Sequence, residues 1–243
     1  MSLSITLIVL AYRQEAFIER AVESAFAQVY DGPLEILLSD DHSPDSTWDI
    51  MRSLARSYAG AHDVRLNRMD DNVGMIGHFT AAVRQARGDI ITYLAGDDIA
   101  APNRVAQCAK VLSSDPALSF VESSYQSFSA APPPFAEGRD GHVTFSLEDY
   151  LSGRAPNLSS STRSFRRDLF LDYPDLDVAL SSEDSPSALR LLMRGNGARI
   201  HRPLLLKRAH ATNITGPAGL RKVDFERIGS QYQDDAEFAL SMG

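Results

Sequence analysis

The sequence has one cysteine, Cys108, among 243 residues, and no apolar stretch long enough to cross a bilayer. A single thiol excludes a disulfide within the chain and fits a reducing cytoplasm, so we expect Cys108 to be a small core residue of a helix from Asn103 to Leu112. The first apolar run, Ile5 to Ala11, is too short for a membrane span, and no basic region precedes it. We therefore expect a soluble cytoplasmic protein, compatible with peripheral work at the inner face of a membrane.

Positive charge is also in short supply. Lys and Arg number 24 against 32 Asp and Glu, which gives a net charge of −8. Nucleic acids are bound through clustered Lys and Arg, so this balance argues against a nucleic-acid surface. If the ligand is an anionic phosphate compound beside aspartates, a bridging cation must offset the repulsion. At 243 residues the chain can bury its own core, either as one large α/β domain or as one domain with a small appendage, and 44% hydrophobic residues are typical of a soluble globular protein.

Glycine is absent from the turn after the first predicted strand, which reads LAYRQE from Leu10 to Glu15. A dinucleotide-binding dehydrogenase needs G-x-G-x-x-G at that turn, and a Walker phosphate loop needs a glycine-rich turn ending in G-K-S/T. The pair Asp40 and Asp41 likewise lacks the D-x-D spacing of phosphatases that use a nucleophilic aspartate. These absences argue against all three classes.

Two predicted strands each end in a pair of adjacent aspartates. Leu34 to Leu38 leads to Asp40 and Asp41, and Ile90 to Leu94 leads to Asp97 and Asp98. In an open α/β sheet, ligands lie at the carboxyl ends of the strands, and paired carboxylates there are typical ligands of a divalent cation. An acidic loop tip in water remains the alternative for the second pair.

The hydrophobic pattern predicts alternating strands and helices. Up to about residue 125, the order is strand, helix, strand, helix, strand, helix and strand, which indicates a mostly parallel sheet with helices on both faces. Beyond that point a proline-rich loop or flap precedes further elements. The predicted elements of this second part are a loop from Ser127 to Gly141, helices at Leu147 to Leu151 and Ser185 to Arg194, strands within Leu158 to Phe165 and from Arg199 to Leu206, and a polar helix from Leu220 to Leu240. The natural division of this single domain is a nucleotide-type half, residues 1–125, and an acceptor-type half, residues 126–243.

An ordered set of motifs resembles the family-2 glycosyltransferases, which have the GT-A fold. The motifs are SITLIVLAY (4–12), EILLSDDHSPDST (35–47), NVG (72–74), ARGDIITYLAGDD (86–98), SED (182–184) and RAHATNIT (208–215). The resemblance covers roughly Ser4 to Thr215. It implies a single GT-A domain, and it departs from the fuller family pattern at Ala95, where many members have an additional aspartate.

The resemblance implies roles for two groups of residues around the donor. Asp41 would accept an N–H of the base, which favours uracil, and Asp98 would bind Mn²⁺ or Mg²⁺ that bridges the donor diphosphate. Asp97 would contact the ribose or the metal, and His210 would be a further metal or diphosphate contact. Alternatives are a core aromatic for Tyr12 and a surface loop residue for His210. The remaining nucleotide-binding candidates are Ala11, Tyr12, Glu15, Asn72 and Gly74.

The resemblance also implies a catalytic base, Asp184, which would take the proton of an acceptor hydroxyl as it attacks the sugar. Glu183 would orient the loop or touch the acceptor. The stretch from Ser181 to Ser185 also has the pattern of a helix N-cap, and this role could coexist with catalysis.

The function implied is an inverting glycosyltransferase that moves a sugar from a nucleotide-diphosphate donor, UDP-sugar first, to a carbohydrate or lipid-linked carbohydrate acceptor in polysaccharide or glycoconjugate synthesis. Two other classes stay open. A nucleotidyltransferase would need a Gly-rich, basic loop after the first strand, which this chain lacks, and a non-catalytic nucleotide-sugar-binding module would bind without turnover. The sequence leaves the donor sugar, the acceptor and the oligomeric state open.

Overall fold

The computed structural model describes residues 2–209 and 224–242. Its elements follow the predicted alternation through the first half of the chain. In order they are β1 (Ile5–Ala11), α1 (Ile18–Phe26), β2 (Leu34–Asp40), α2 (Thr47–Ser57), β3 (Asp63–Arg68), α3 (Gly74–Gln85), β4 (Ile90–Ala95), β5 (Ile99–Ala100), α4 (Arg104–Ser114), β6 (Leu118–Phe128), β7 (His142–Phe145), α5 (Leu147–Leu151), a 3₁₀ turn (Ser160–Thr162), β8 (Arg163–Arg166), α6 (Arg167–Leu171), α7 (Asp184–Leu192), β9 (Asn196–Arg208) and α8 (Phe225–Ser241).

One nine-stranded sheet organises the described part of the chain. Its order is β3-β2-β1-β4-β8-β6-β9-β5, and β7 pairs with β9 off this path. The strands β3, β2, β1 and β4 are parallel to one another, whereas β8 is antiparallel to both β4 and β6. β9 is parallel to β6 and antiparallel to β5 and β7. The predicted α/β fold with a central sheet between helices is therefore confirmed, with a parallel first half and a mixed second half.

The core lies in two layers because side chains alternate across the sheet. Leu7 and Val9 of β1 face a cluster that includes Cys108 of α4, and Ile8 and Leu10 face the cluster around Phe79 of α3. Every residue of β1 and β2 is buried, which explains why both strands are mostly apolar. Cys108 is fully buried in α4, as expected.

The parallel strands end together at one edge of the sheet. Ala11 at the end of β1 pairs with Asp40 at the end of β2, and Leu10 pairs with Ala95 at the end of β4. The loops that follow these strands therefore emerge side by side. They carry Tyr12, Asp41 and the second aspartate pair, so the topology places the predicted ligand-binding residues at one edge.

The structure differs from the sequence prediction mainly at short or exposed elements. β5 has two residues and β7 is mostly exposed, so neither produces a hydrophobic pattern long enough to recognise. The first helix is shorter than the predicted span from Glu15 to Tyr30 and covers Ile18–Phe26, because the backbone N–H of Val29 donates to Pro102 O instead of continuing the helix. No helix among the described residues is both long and apolar enough to span a bilayer.

Candidate active site

A cavity of about 720 Å³ opens at the carboxyl edge of the sheet. It brings together side chains from both halves of the chain, including Asp41, Asp98 and Asp184. Nine of the residues predicted from the sequence line it: Ala11, Tyr12, Asp41, Asn72, Gly74, Asp97, Asp98, Glu183 and Asp184. Carboxylates that are far apart in sequence therefore share one cleft.

Two predicted residues are not among the nine that line the cavity. Glu15 lies outside it, and its carboxylate accepts the backbone N–H of Ser46 at 3.0 Å, at the start of α2. The side chain is thus engaged with the neighbouring helix rather than with the cleft. His210 lies outside the described residues.

Asp41 is buried and held by the loop that starts α3. Its carboxylate accepts the backbone N–H of Val73 at 3.0 Å and the side-chain amide of Asn72 at 3.1 Å. Burial raises the pKa of Asp41, and hydrogen bonds from the backbone of Val73 and Gly74 act in the opposite direction. Gly74 has φ of +76°, a left-handed conformation that favours glycine at this turn. A carboxylate has about four acceptor positions, so Asp41 can accept a further N–H from a ligand.

Tyr12 is 41% exposed, so it is not a core aromatic. The next residue, Arg13, has φ of +54°, and its backbone N–H donates to Ser43 Oγ at 3.0 Å. The backbone N–H of Gln14 donates to Thr47 Oγ1 at 2.8 Å. These contacts tie the loop after β1 to the loop after β2 and leave the Tyr12 side chain at the cavity wall.

In the second aspartate pair, Asp97 and Asp98, Asp98 is buried and both residues are hydrogen-bonded to Arg208. Asp98 is 2% exposed, and its Oδ1 accepts the backbone N–H of Arg208 at 2.9 Å, while the Arg208 guanidinium donates to the carbonyl of Asp97 at 3.1 Å. Burial and then the neighbouring Asp97 charge raise the pKa of Asp98 to about 7. A water-exposed acidic loop tip does not describe Asp98.

The chemistry of this pair fits a hard divalent cation. Two adjacent carboxylates, one of them buried, supply the oxygen ligands that Mn²⁺ and Mg²⁺ prefer, and a cation would relieve the repulsion that raises the Asp98 pKa. Residues 2–209 and 224–242 contain no group of three or more His, Cys, Asp or Glu side chains that could hold an ion. Asp97 and Asp98 would therefore share the ion with other ligands, among which phosphate oxygens of a donor are suitable.

Asp184 begins α7 and contacts the serine turn, residues 159–162, which contains the 3₁₀ turn Ser160–Thr162. Its Oδ1 accepts the backbone N–H of Ser160, and its Oδ2 accepts the Ser182 hydroxyl at 3.1 Å. Glu183 is buried and accepts the Ser160 hydroxyl at 2.5 Å. Burial and then the charge of Asp184 raise the pKa of Glu183 to about 7. Asp184 thus accepts a backbone N–H and a hydroxyl, whereas Glu183 accepts one hydroxyl and has a raised pKa.

A buried ion-pair network fixes the position of this acidic pair. Arg163 of β8 donates to the carbonyl of Asp184 at 3.1 Å and to the carboxylate of Glu122 at 2.7 and 2.9 Å. Glu122 also accepts from Arg199 at 2.8 Å and from the backbone N–H of Ser159 at 2.9 Å. One fully buried carboxylate therefore connects β6, β8, β9 and the serine turn that contacts Asp184.

Several lining residues were not predicted from the sequence, among them Met75, His78, Ser159, Ser160, Ser161 and Lys207. The serines have no distinctive spacing, and Lys207 lies within the apolar pattern of β9. Its Nζ is 3.4 Å from Ser159 Oγ and 5.4 Å from the ring centre of Tyr125. No local signal marks these positions, because the fold alone carries them to the cavity.

The sheet order and the carboxylate-lined cleft at the strand ends define an α/β protein with the GT-A fold. The chain belongs to glycosyl transferase family 2, whose family model matches residues 6–173.

Comparisons with individual proteins agree with this assignment. The chain is 33% identical over 96 residues to an Escherichia coli protein named UDP-Glc:alpha-D-GlcNAc-diphosphoundecaprenol beta-1,3-glucosyltransferase WfaP, covering 39% of this chain and 35% of the relative. It is 35% identical over 102 residues to the succinoglycan biosynthesis protein ExoO of Rhizobium meliloti, covering 42% and 27%. The match thus spans about a third of the length of these curated relatives.

Two solved structures show the same fold at low sequence identity. Staphylococcus aureus TarS 1–349 in complex with UDP matches with a TM-score of 0.70 and 17% identity, over 97% of this chain and 69% of that one. The mannosyltransferase PcManGT of Pyrobaculum calidifontis, in complex with GDP-Man and Mn²⁺, matches with a TM-score of 0.67 and 20% identity, over 100% and 66%.

Proposed function

We propose that this protein is an inverting glycosyltransferase that moves a sugar from a nucleotide-diphosphate donor to an acceptor hydroxyl. A UDP-sugar is the proposed donor. The observation that carries the proposal is the convergence of Asp41, the Asp97–Asp98 pair and Asp184 on one cavity. Membership of glycosyl transferase family 2 supports it. The printed name of the WfaP relative specifies UDP-Glc, and a structural neighbour was solved with UDP, both of which support a uridine donor.

The nucleotide would lie between the loops after β1 and β2. Asp41 would accept an N–H of the base, Tyr12 would cover the base from the cavity wall, and Ala11, Asn72 and Gly74 would complete the pocket. Asp97 would contact the ribose or the cation. Asp98 and Asp97 would hold Mn²⁺ or Mg²⁺, which when bound supplies charge stabilisation at the departing nucleotide diphosphate. Lys207 adds a positive charge to the same cavity.

Asp184 would act as the general base. In-line attack on the anomeric carbon needs the acceptor hydroxyl to lose its proton as the new bond forms, and a carboxylate in hydrogen-bond reach can take it. The Ser160 backbone N–H and the start of α7 stabilise the Asp184 charge that this role requires. Glu183 would hold Ser160 and, through it, the orientation of the base.

The acceptor would approach from the side formed by residues 126–243, with residues 1–125 holding the donor. A carbohydrate or lipid-linked carbohydrate is the proposed acceptor, and the cytoplasmic face of a membrane is the proposed place of work. The printed name of the WfaP relative, which contains diphosphoundecaprenol, supports a lipid-linked acceptor, and a lipid carrier of this kind would place the reaction at a membrane. The name of the ExoO relative supports a carbohydrate product.

The test is a transfer and donor-hydrolysis assay with UDP-, GDP- and dTDP-sugars in the presence of Mn²⁺. We expect Asp98→Ala and Asp184→Asn each to lose at least about 100-fold in activity, because each removes a group that acts on the developing charge or the moving proton. Addition of EDTA is expected to abolish activity and added Mn²⁺ to restore it.

The matched control is Asp234→Asn, which changes an exposed aspartate of α8 outside the cavity. Circular dichroism checks that each variant is folded. Full activity in both Asp98→Ala and Asp184→Asn would overturn the mechanism. Calorimetric binding of nucleotide with no turnover on any acceptor would instead support the non-catalytic binding module.

A further inference from the structure

His78 is a buried histidine of α3 that lines the cavity together with Asp41 and Met75. It is 3% exposed. Burial lowers its pKa to about 4, so the imidazole is neutral at pH 7 and has one nitrogen with a proton and one without. Which nitrogen carries the proton decides what His78 presents to a ligand.

The contacts of Ser39 assign this tautomer. The side-chain amide of Asn67 donates to Ser39 Oγ at 2.9 Å, and Ser39 Oγ lies 2.6 Å from His78 Nε2. Ser39 is fully buried, and His78 is the partner among the described residues that can accept its hydroxyl proton. A buried hydroxyl with no acceptor is costly, so Ser39 donates to Nε2 and the proton of His78 resides on Nδ1.

The Nδ1 atom of His78 has no hydrogen-bond partner within residues 2–209 and 224–242. It is also not one of the fully buried polar atoms that lack a partner, so it retains some accessible surface. The space that remains open to it is the cavity that His78 lines. A hydrogen-bond donor, Nδ1–H of His78, therefore faces the same pocket as an acceptor, the carboxylate of Asp41. The hydrogen bonds from Asn67 to Ser39 and from Ser39 to His78 Nε2 hold the imidazole ring in this orientation.

We propose that His78 determines base specificity by donating its Nδ1–H to a base carbonyl that adjoins the ring N–H accepted by Asp41. This inference rests on the proposed function and adds the residue that reads the second group of the base. Uracil and guanine present an N–H next to a carbonyl. Cytosine and adenine present a ring acceptor next to an amino donor. The Nδ1–H donor of His78 would then face an amino donor, and the Asp41 carboxylate would face an acceptor.

Two substitutions separate the donor from the packing of His78. Glutamine places its amide at the level of Nε2, so His78→Gln keeps an acceptor for Ser39 but has no donor at the Nδ1 position. Asparagine places its amide N–H at the level of Nδ1, so His78→Asn keeps the donor toward the cavity and loses the Ser39 contact. His62→Gln is the matched control, because His62 contacts Gln28 O at 2.9 Å and does not line the cavity.

The experiment is calorimetric titration of the full chain with UDP, GDP, CDP and ADP in the presence of Mn²⁺. We expect the wild type and His62→Gln to prefer UDP or GDP over CDP and ADP. In His78→Gln, we expect binding of the preferred nucleotide to weaken roughly five- to tenfold while CDP and ADP affinities stay unchanged, since one neutral hydrogen bond is lost. His78→Asn is expected to retain the wild-type preference.

Thermal unfolding establishes that each variant is folded at the assay temperature. A folded His78→Gln protein with the wild-type ratio of UDP to CDP affinity would overturn this inference and leave the proposed function standing. A wild-type protein that binds none of the four nucleotides would overturn both.

Discussion

At the scale of single residues, the site combines buried acids with very different surroundings. Asp184 has a backbone N–H and a hydroxyl as donors, whereas Glu183 is 3% exposed beside it and has a raised pKa. Burial and then the neighbouring Asp184 charge favour the protonated form of Glu183, because ionisation there would place a second negative charge away from water. The cost is a fold whose stability depends on pH.

Glu183→Gln tests this cost. The pKa of Glu183 is about 7 in the folded protein and 4.5 in the unfolded reference. Because the pKa of Glu183 is higher in the folded state, its stabilising contribution is fully present below pH 4.5. The contribution is lost as the pH rises to about 7, since the unfolded protein releases this proton more readily than the folded protein does. Glutamine is neutral throughout and can still accept from Ser160. We therefore expect the variant to exceed the wild type in free energy of unfolding at pH 8 by up to roughly 3 kcal/mol.

Urea unfolding at pH 4.5 and pH 8 measures this difference. At pH 4.5 the two proteins are expected to be about equally stable. Glu148→Gln is the control, because the Glu148 side chain is 85% exposed and its substitution is expected to change stability little at either pH. A Glu183→Gln protein that is less stable than the wild type at pH 8 would contradict the assignment.

At the scale of elements, α8 is joined to the helix that begins with Asp184. Arg190 of α7 and Asp235 of α8 form a bidentate ion pair at 2.7 and 2.8 Å, with both side chains at most 2% exposed. Gln231 of α8 also donates to Asp235 and accepts the backbone N–H of Asp177. The attachment of α8 is therefore polar and specific, although the outer face of this helix is exposed.

Asp235→Asn is expected to lower the free energy of unfolding by about 3 kcal/mol, because it leaves the buried Arg190 charge uncompensated. Asp234→Asn makes the same chemical change one position earlier, on the exposed face of α8, and is expected to cost less than about 0.5 kcal/mol. Urea denaturation of both variants measures the contrast. Equal costs at the two positions would mean that α8 does not depend on the ion pair.

At the scale of the whole molecule, one sheet runs through both halves of the chain. The proposed functional division near residue 125 falls inside β6, and β8, from the second half, lies between β4 and β6. Residues 1–125 and 126–243 therefore contribute strands to one sheet and share a core. Such an arrangement favours a single cooperative unit even though the two halves are proposed to bind different substrates.

We expect one unfolding transition for the entire chain. Trp48 in α2 is the only tryptophan, so its fluorescence reports on the first half, while far-ultraviolet circular dichroism reports on all helices and strands. The two probes are expected to give the same midpoint in urea. Separated midpoints would show that the halves unfold independently and that the shared sheet does not couple them.

Local sequence patterns were sufficient for much of the fold. The buried runs of β1, β2 and β4 and the amphipathic helices between them are visible because burial on a strand or helix face imposes a period on neighbouring residues. The aspartate pairs after β2 and β4 were visible for the same reason, since the end of an apolar run marks the end of a strand. β5 and β7 were not predicted, because short or exposed strands leave little periodicity. A strand within Leu158 to Phe165 was predicted and overlaps β8, but no local pattern shows that β8 lies antiparallel between β4 and β6.

The sequence by itself determined that acidic loops follow the parallel strands and that the chain has the motifs of its family. Only the tertiary structure decided which distant residues meet: the backbone N–H of Ser160 with Asp184, Glu122 with Arg163, and Ser39 with His78. These contacts depend on strand order and register, which are set by the packing of the whole sheet rather than by neighbouring residues. The proton on His78 is likewise a property of its partners, because the donors and acceptors around a buried imidazole select its tautomer.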